Sequence, residues 1–394
     1  MARTSFRSHW RLDPSLTFLN HGSFGACPAP VLDRQTELRA RMEANPVRFL
    51  VRDLGRLLDG VREELAPFLG ANPDDLAFVG NATTGVNAVL RSLALEPGDE
   101  LLTTSHAYNA CRNALAYVAE RAGARVVVAP IPFPVSGADE IVEAILTHVT
   151  DRTRLALVDH VTSPTGLVFP IARIVSALAG RGIDTLVDGA HGPGLVAVDV
   201  GAIGAAYYVG HGHKWLCAPK GAAFLHVRQD RQARVRPTVI SHGATLAQPG
   251  RSRFRLEFDW QGSIDPTPLL CLPDALRFLG DLLPGGWDAL RARNRTLALD
   301  ARRRLCAALG TTPPCPEDLV AALVAVPLPD GDAPPPGSTG AGDGLQAVLH
   351  DRFGIEALVA PFPTPPRRLL RFTAHAYNDP GDYTRLVDAV SALR

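Results

Sequence analysis

Short apolar runs rich in Val, Leu and Ala recur along the first half of the chain: LAFV (76–79), ELLTT (100–104), RVVVA (125–129), RLALVD (154–159) and TLVD (185–188), then AAYYV and AAFLHV. Continuous runs of this length suit strands buried on both faces. Between them lie amphipathic stretches, 54–69, 110–122, 138–148 and 171–179, that read as helices. This β-α-β rhythm predicts a mostly parallel, doubly wound sheet in a large α/β domain. After EFDWQGSIDP the pattern changes. A long helix (290–309), a strand (321–328), a second helix (344–353) and the run LLRFTA (369–374) predict a smaller α+β carboxyl-terminal domain. The expected division is an amino-terminal segment 1–46, a large domain 47–262 and a small domain 263–394. No repeat of 20 to 50 residues is visible.

Composition narrows the class. Hydrophobic residues make up 46% and charged residues 20% of the 394 positions, which argues against long disorder, a coiled coil or a collagen-like repeat. Lys plus Arg and Asp plus Glu are 40 each, so no net field gathers nucleic acid or an anionic membrane, and neither partner is expected. The start, MARTSFRSHWRLDPSL, lacks the apolar core of a signal peptide, and no uncharged apolar run reaches the roughly 18 residues of a membrane span. A cytoplasmic location is the expectation. Six cysteines without a C-x-x-C pair read as reduced, buried thiols. Glycine and proline, 35 and 33 residues, concentrate in turns and in DGDAPPPGSTGAGDG (330–344), which reads as a mobile loop.

The densest set of polar side chains in an apolar setting is TLVDGAHGPG followed by YYVGHGHKWLCAPKGAAFL, which holds Asp188, His191, His211, His213, Lys214, Trp215 and Lys220. Asp188 ends a predicted buried strand. A carboxylate there is costly unless a cation or several donors meet it, and strand carboxyl ends are where open α/β sheets bind ligands. Lys214 follows another apolar strand 26 residues later. A lysine drawn into such a site can lose its proton and become an amine nucleophile, for which an aldehyde cofactor is the natural partner. Taken singly, Asp188 is also a turn former, Lys214 a solvated lysine, and the histidines core residues or metal ligands. No acidic or cysteine ligand accompanies those histidines at a familiar spacing, so no metal is expected.

D-G-A-H-x-x-G and H-K-W-x-x-x-P-K-G resemble the cofactor segments of class V aminotransferase-like, fold type I pyridoxal phosphate (PLP) enzymes, and within them the isopenicillin N epimerase-like branch. FLNHGSFG (18–25), GNATTGVN (80–87), TTSHAYNACRNAL (103–115), DHVTSPTGLVFPI (159–171) and RFTAHAYND (371–379) extend the resemblance over nearly the whole chain. It implies PLP as cofactor, with Asp188 holding the ring-nitrogen proton and Lys214 bonded to the cofactor and moving the proton at the substrate α-carbon. It also implies that Ala82, Thr83, Thr84 and His213 meet the phosphate, beside His191 and His211, the latter standing where relatives carry Ser or Asn. Ser263 resembles an element that reaches the phosphate from a neighbouring subunit, which implies a homodimer.

Either His106 or Tyr108 is expected to cover the ring face, with His106 favoured. Thr162 and Ser163 fall where family members donate to the phenolic oxygen or flank it. Arg371 resembles the arginine that clamps the substrate α-carboxylate, with Asn20, His21 and Ser23 at the same mouth. The expected substrate is an amino acid or a small molecule containing one. The branch implies inversion at its α-carbon, which needs acid/base groups on both faces: Lys214, and opposite it Tyr108, a histidine or a water. The rivals are a C–S lyase of the hercynylcysteine sulfoxide type, a class V aminotransferase, and a specialised-metabolism cyclase or decarboxylase. A cysteine desulfurase is disfavoured, because no cysteine follows Cys315 to act as its small-domain nucleophile. Outside PLP chemistry stand a metal-dependent hydrolase and a binding module without catalysis.

Overall fold

The seven expected strands of the first half form one sheet in the computed structural model, which describes residues 5–331 and 344–393. They are β1 (Leu76–Val79), β2 (Glu100–Thr104), β3 (Arg125–Ala129), β4 (Thr153–Asp159), β5 (Asp184–Asp188), β6 (Tyr207–His211) and β7 (Ala223–Val227). Their order is β1-β7-β6-β5-β4-β2-β3. β7 is antiparallel to both neighbours and every other pairing is parallel, so the α/β, mostly parallel expectation holds.

Alternation along each strand explains the unbroken apolar runs. Ala156 and Val158 point into one core with Val187 and Tyr208, while Leu155 and Leu157 enter a second core with Leu186 and Val209. Helices Leu54–Leu69, Ala82–Arg91, Asn109–Ala122, Ala138–Leu146 and Ile171–Ala179 supply the covering layers. In the first of these, Leu54, Leu58, Val61, Leu65 and Leu69 form the buried stripe at helical spacing. RVVVA departs from the expectation of burial on both faces. Among the described residues β3 pairs only with β2, and Val128 is left 37% exposed. An apolar run reads the same at the edge of a sheet as at its centre, because neighbours rather than composition decide which it is.

A second sheet holds β8 (Leu323–Leu328), β9 (Leu358–Pro361) and β10 (Arg368–Thr373), in the antiparallel order β9-β10-β8. Helix Gly286–Leu309 packs on β8 and on helix Pro380–Ser391. The amino-terminal chain is tied to this sheet: Thr17–Phe18 pairs with Ile355–Glu356, and Thr373 N–H donates to Leu19 O. Residues 19–25 therefore run towards the carboxyl ends of the large sheet's parallel strands. The loop expected to be mobile, 330–344, lies outside the described residues except at its ends. Among the described residues no helix is long and apolar enough to cross a membrane.

Candidate active site

Three strands end on chemistry. Asp159, Asp188 and His211 are the last residues of β4, β5 and β6, and all open onto one cleft at the carboxyl edge of the sheet. The cleft has a volume of about 190 Å³. Its wall is completed by Ser23, Phe24, Asn81, Ala82, Thr83, Tyr108, Ser163, Ala190, His191, His213 and Lys214.

The Asp188 carboxylate is 3% exposed. Oδ1 accepts from Ala190 N–H at 2.9 Å and Oδ2 from the Cys111 thiol at 3.2 Å. Beside it in register stands Asp159, whose buried Oδ2 has no partner. Burial, and then the neighbouring Asp188, push the Asp159 carboxyl well above the usual carboxylate range. Lys214 reaches the same space, with Nζ 3.1 Å from His191 Nε2. Burial lowers its amine to about 8, against the opposing pull of Asp188.

Close backbone approaches hold the Lys214 loop. Gly25 has φ +70°, and a Cβ there would lie 2.0 Å from His213 O. Lys220 Nζ donates to Gly25 O at 2.9 Å, clipping the amino-terminal segment onto the loop. At Gly189 a Cβ would lie 2.2 Å from Tyr208 Cζ, so the glycine after Asp188 is required by packing.

One side of the cleft wall is built where β1 meets helix Ala82–Arg91. Asn81 caps that helix by accepting from Thr84 N–H at 2.8 Å. Ala82 and Thr83 reach the wall, whereas Thr84 does not: its hydroxyl donates to Asn81 Oδ1. His211 and His213 lie opposite each other with ring centroids 4.2 Å apart. His213 Nδ1–H donates to Ala222 O, and buried His211 Nδ1 has no partner.

Several expected site residues lie elsewhere. His106, favoured as the ring cover, is fully buried, with Nδ1 on Thr165 Oγ1 at 2.8 Å and Nε2 on Ile131 O at 3.1 Å. Both ring nitrogens are spent on the core, and Tyr108, two residues on and 46% exposed, stands at the cleft instead. Thr162 is likewise buried, bonded to Thr165 and Leu167, while Ser163 lines the cleft. Ser263 is exposed and away from the cleft of its own chain. Arg371, on β10, by contrast reaches the wall from behind, against Ser163 and Ser23. Its Nη1 donates to Ser163 O at 2.7 Å and its Nη2 to Ser23 Oγ at 2.8 Å and Asn20 Oδ1 at 3.3 Å.

His21 faces away from the mouth. Its Nδ1 meets the Tyr377 hydroxyl at 2.8 Å, and it lies with Cys217 and His375 in a buried trio whose ligand atoms fall within 4.8 Å of one another. The His21 and His375 rings are stacked, 4.1 Å apart with planes 15° from parallel, so their in-plane lone pairs run side by side rather than converging on one ion.

The sequence reading missed Asp159, Asn81, Phe24 and Ala190 on the wall. Asp159 carried the signal used for Asp188, an acid closing an apolar run. Asn81 carried that of a helix cap.

The chemistry of this wall fits PLP: a buried carboxylate for the ring nitrogen, a lysine amine for its aldehyde, and a helix amino terminus for its phosphate. The orphaned Asp159 Oδ2 and His211 Nδ1 also leave polar atoms to be met inside the cleft.

The Aminotransferase class-V family model matches residues 19–257. Isopenicillin N epimerase of Amycolatopsis lactamdurans is 39% identical over 401 residues, covering 98% of this chain and 97% of that protein. A probable chloroplastic L-cysteine desulfhydrase of Arabidopsis thaliana is 31% identical, covering 97% of this chain and 83% of its own length. The solved complex of a cystine C–S lyase with its product cysteine persulfide superposes with a TM-score of 0.78 at 22% identity, over 96% of this chain and 98% of that one. With the family model spanning more than half its length, and relatives above 30% identity along almost all of it, the chain belongs to the aminotransferase class-V family of PLP-dependent fold type I enzymes.

Proposed function

We propose that this enzyme inverts the α-carbon of an amino acid, or of a small molecule that contains one. The convergence of the Lys214 amine and the Asp188 carboxylate on one cleft supports PLP chemistry at that carbon, and the likeness to isopenicillin N epimerase supports inversion as its outcome. When bound, PLP supplies an aldehyde for covalent attachment and a ring that takes up the electron pair released at the substrate α-carbon. Asp188 holds the proton on the ring nitrogen, and the Ala190 and Cys111 donors keep that carboxylate oriented. The Asn81–Thr83 turn, His211 and His213 receive the phosphate. Arg371 receives the substrate carboxylate, steadied by Ser23, Asn20 and Ser163. Lys214 takes the α-proton on its own side of the cofactor.

Inversion needs a proton returned from the opposite side, and we assign that to the Tyr108 hydroxyl or a water beside it. The 39% identity to an isopenicillin N epimerase, over an alignment covering 98% of the chain, supports inversion over elimination. The second reading, β-elimination at a sulfur-bearing side chain, is favoured by the 31% identical desulfhydrase. Persulfide chemistry on a cysteine nucleophile fits poorly, because all six cysteines are buried.

Incubation of candidate amino acids with the enzyme in D₂O tests the reaction. Inversion accompanied by α-deuteration is expected, whereas release of pyruvate and a thiol without inversion overturns it in favour of the lyase. Lys214→Ala is expected to lose the yellow colour, the borohydride-trapped lysine adduct and all exchange. Normal trapping in that variant would remove Lys214 from the mechanism.

A further inference from the structure

We propose that Trp215 is a positioning residue: its indole N–H fixes His191 as the Nε2–H form, so that His191 donates a hydrogen bond to Lys214 Nζ and the lysine is the accepting amine. The inference rests on the reading of Lys214 as the reactive lysine and says how that lysine is made ready.

Trp215 Nε1 lies 3.2 Å from His191 Nδ1, and an indole nitrogen can only donate. His191 Nδ1 is therefore the lone-pair nitrogen, and a neutral imidazole then carries its one proton on Nε2. That nitrogen is 3.1 Å from Lys214 Nζ. An ammonium at Nζ would bring a second proton to the same contact, so the bond runs from His191 to a neutral amine.

Both partners are held where this logic applies. Trp215 is 2% exposed, with its ring 5.0 Å from His21 and 6.2 Å from His375, so the indole has no room to turn away. His191 is also 2% exposed, and burial keeps it uncharged, with Arg371, His211 and His21 acting in the same direction. Around Lys214, Asp188, Cys111 and Asp159 favour the ammonium, while burial and Arg371 oppose it. The His191 donor adds to the second side. It also leaves an N–H aimed at the place where the lysine reacts.

The test uses the full-length protein labelled with ¹⁵N-histidine, the His191 signals being identified by their loss in H191Q. In the wild-type protein without added PLP we expect a bare Nδ1 and a protonated Nε2. Protonation at Nδ1 overturns the proposal, and this measurement needs no Trp215 variant to fold. In Trp215→Phe, which keeps an aromatic ring but has no donor, the two protonation forms should mix; an unchanged spectrum overturns the proposal. The pH profile of Lys214 modification by trinitrobenzenesulfonate should move up by about one pH unit in Trp215→Phe, making modification about tenfold slower near neutral pH. A superimposable profile also overturns it. Failure of the underlying reading shows separately, as wild-type protein that forms no borohydride-trapped adduct on Lys214 when PLP is added, whatever the His191 spectrum.

Discussion

A buried guanidinium that meets only neutral oxygens is an expensive side chain to keep, and Arg371 is one. It is 4% exposed, its Nη atoms donate to Ser163, Ser23 and Asn20, its Nε has no partner, and burial lowers its pKa to about 10. Among the described residues no carboxylate pairs with it. An anionic substrate group would supply the missing charge, which is why we assign the α-carboxylate there. Arg371→Lys keeps the charge but loses the planar fork, so KM for a carboxylate substrate should rise about tenfold or more with a smaller change in kcat. Equal effects on the substrate and its carboxamide analogue, measured by steady-state kinetics, would count against the assignment. At this scale Asp188 and Lys214 were legible because each follows an apolar run with a glycine-rich turn nearby. His106 and Tyr108 were not distinguishable. They sit two residues apart, and only the turn of the backbone sends one into the core and the other to the cleft.

The elements that carry the site are joined by close backbone contacts, and Gly25 is the clearest. With φ +70° and His213 O in the space a Cβ would fill, Gly25→Ala must move either the amino-terminal segment or the Lys214 loop. We expect a stability loss of about 1–3 kcal/mol from the strained backbone, together with weakened retention of PLP. Denaturant unfolding and the visible absorbance of the purified variant check the two effects. Wild-type stability with full colour would show that the segment does not brace the loop. Most strands and helices of the large sheet were readable within two or three residues, because two-sided burial leaves a strong apolar signature. Helix Ala29–Ala44 leaves no stripe in the sequence, because only Val31, Gln35 and Leu38 of its sixteen residues are buried. Helix Pro380–Ser391 opens with a capping box between Asp379 and Asp382, whose acidic residues mark its start in the sequence.

Across the whole molecule, burial holds many histidines uncharged. It lowers His21 to about 3 and His106, His160, His213 and His226 to about 4, from an ordinary value of 6.5. Between those values the unfolded chain binds protons that the folded chain refuses. The stability they contribute is therefore whole above about pH 6.5 and is lost as pH falls towards 4. The urea midpoint should drop steeply over that window, and a flat profile from pH 7 to 5 would contradict such burial. The same concentration of ionisable groups in the interior separates what each level decides. By itself the sequence determined the strand and helix rhythm, the α/β class, and the acid and lysine to which we assign the chemistry, since these follow from local apolar patterning and from residues placed beside it. Only the tertiary structure decided that β3 is an edge, that Asp159 joins Asp188 at the cleft, that Tyr108 replaces His106 there, and that Trp215 faces His191. Each of those depends on which distant segment arrives to bury, pair with or leave open a given side chain, and no local pattern records that arrival.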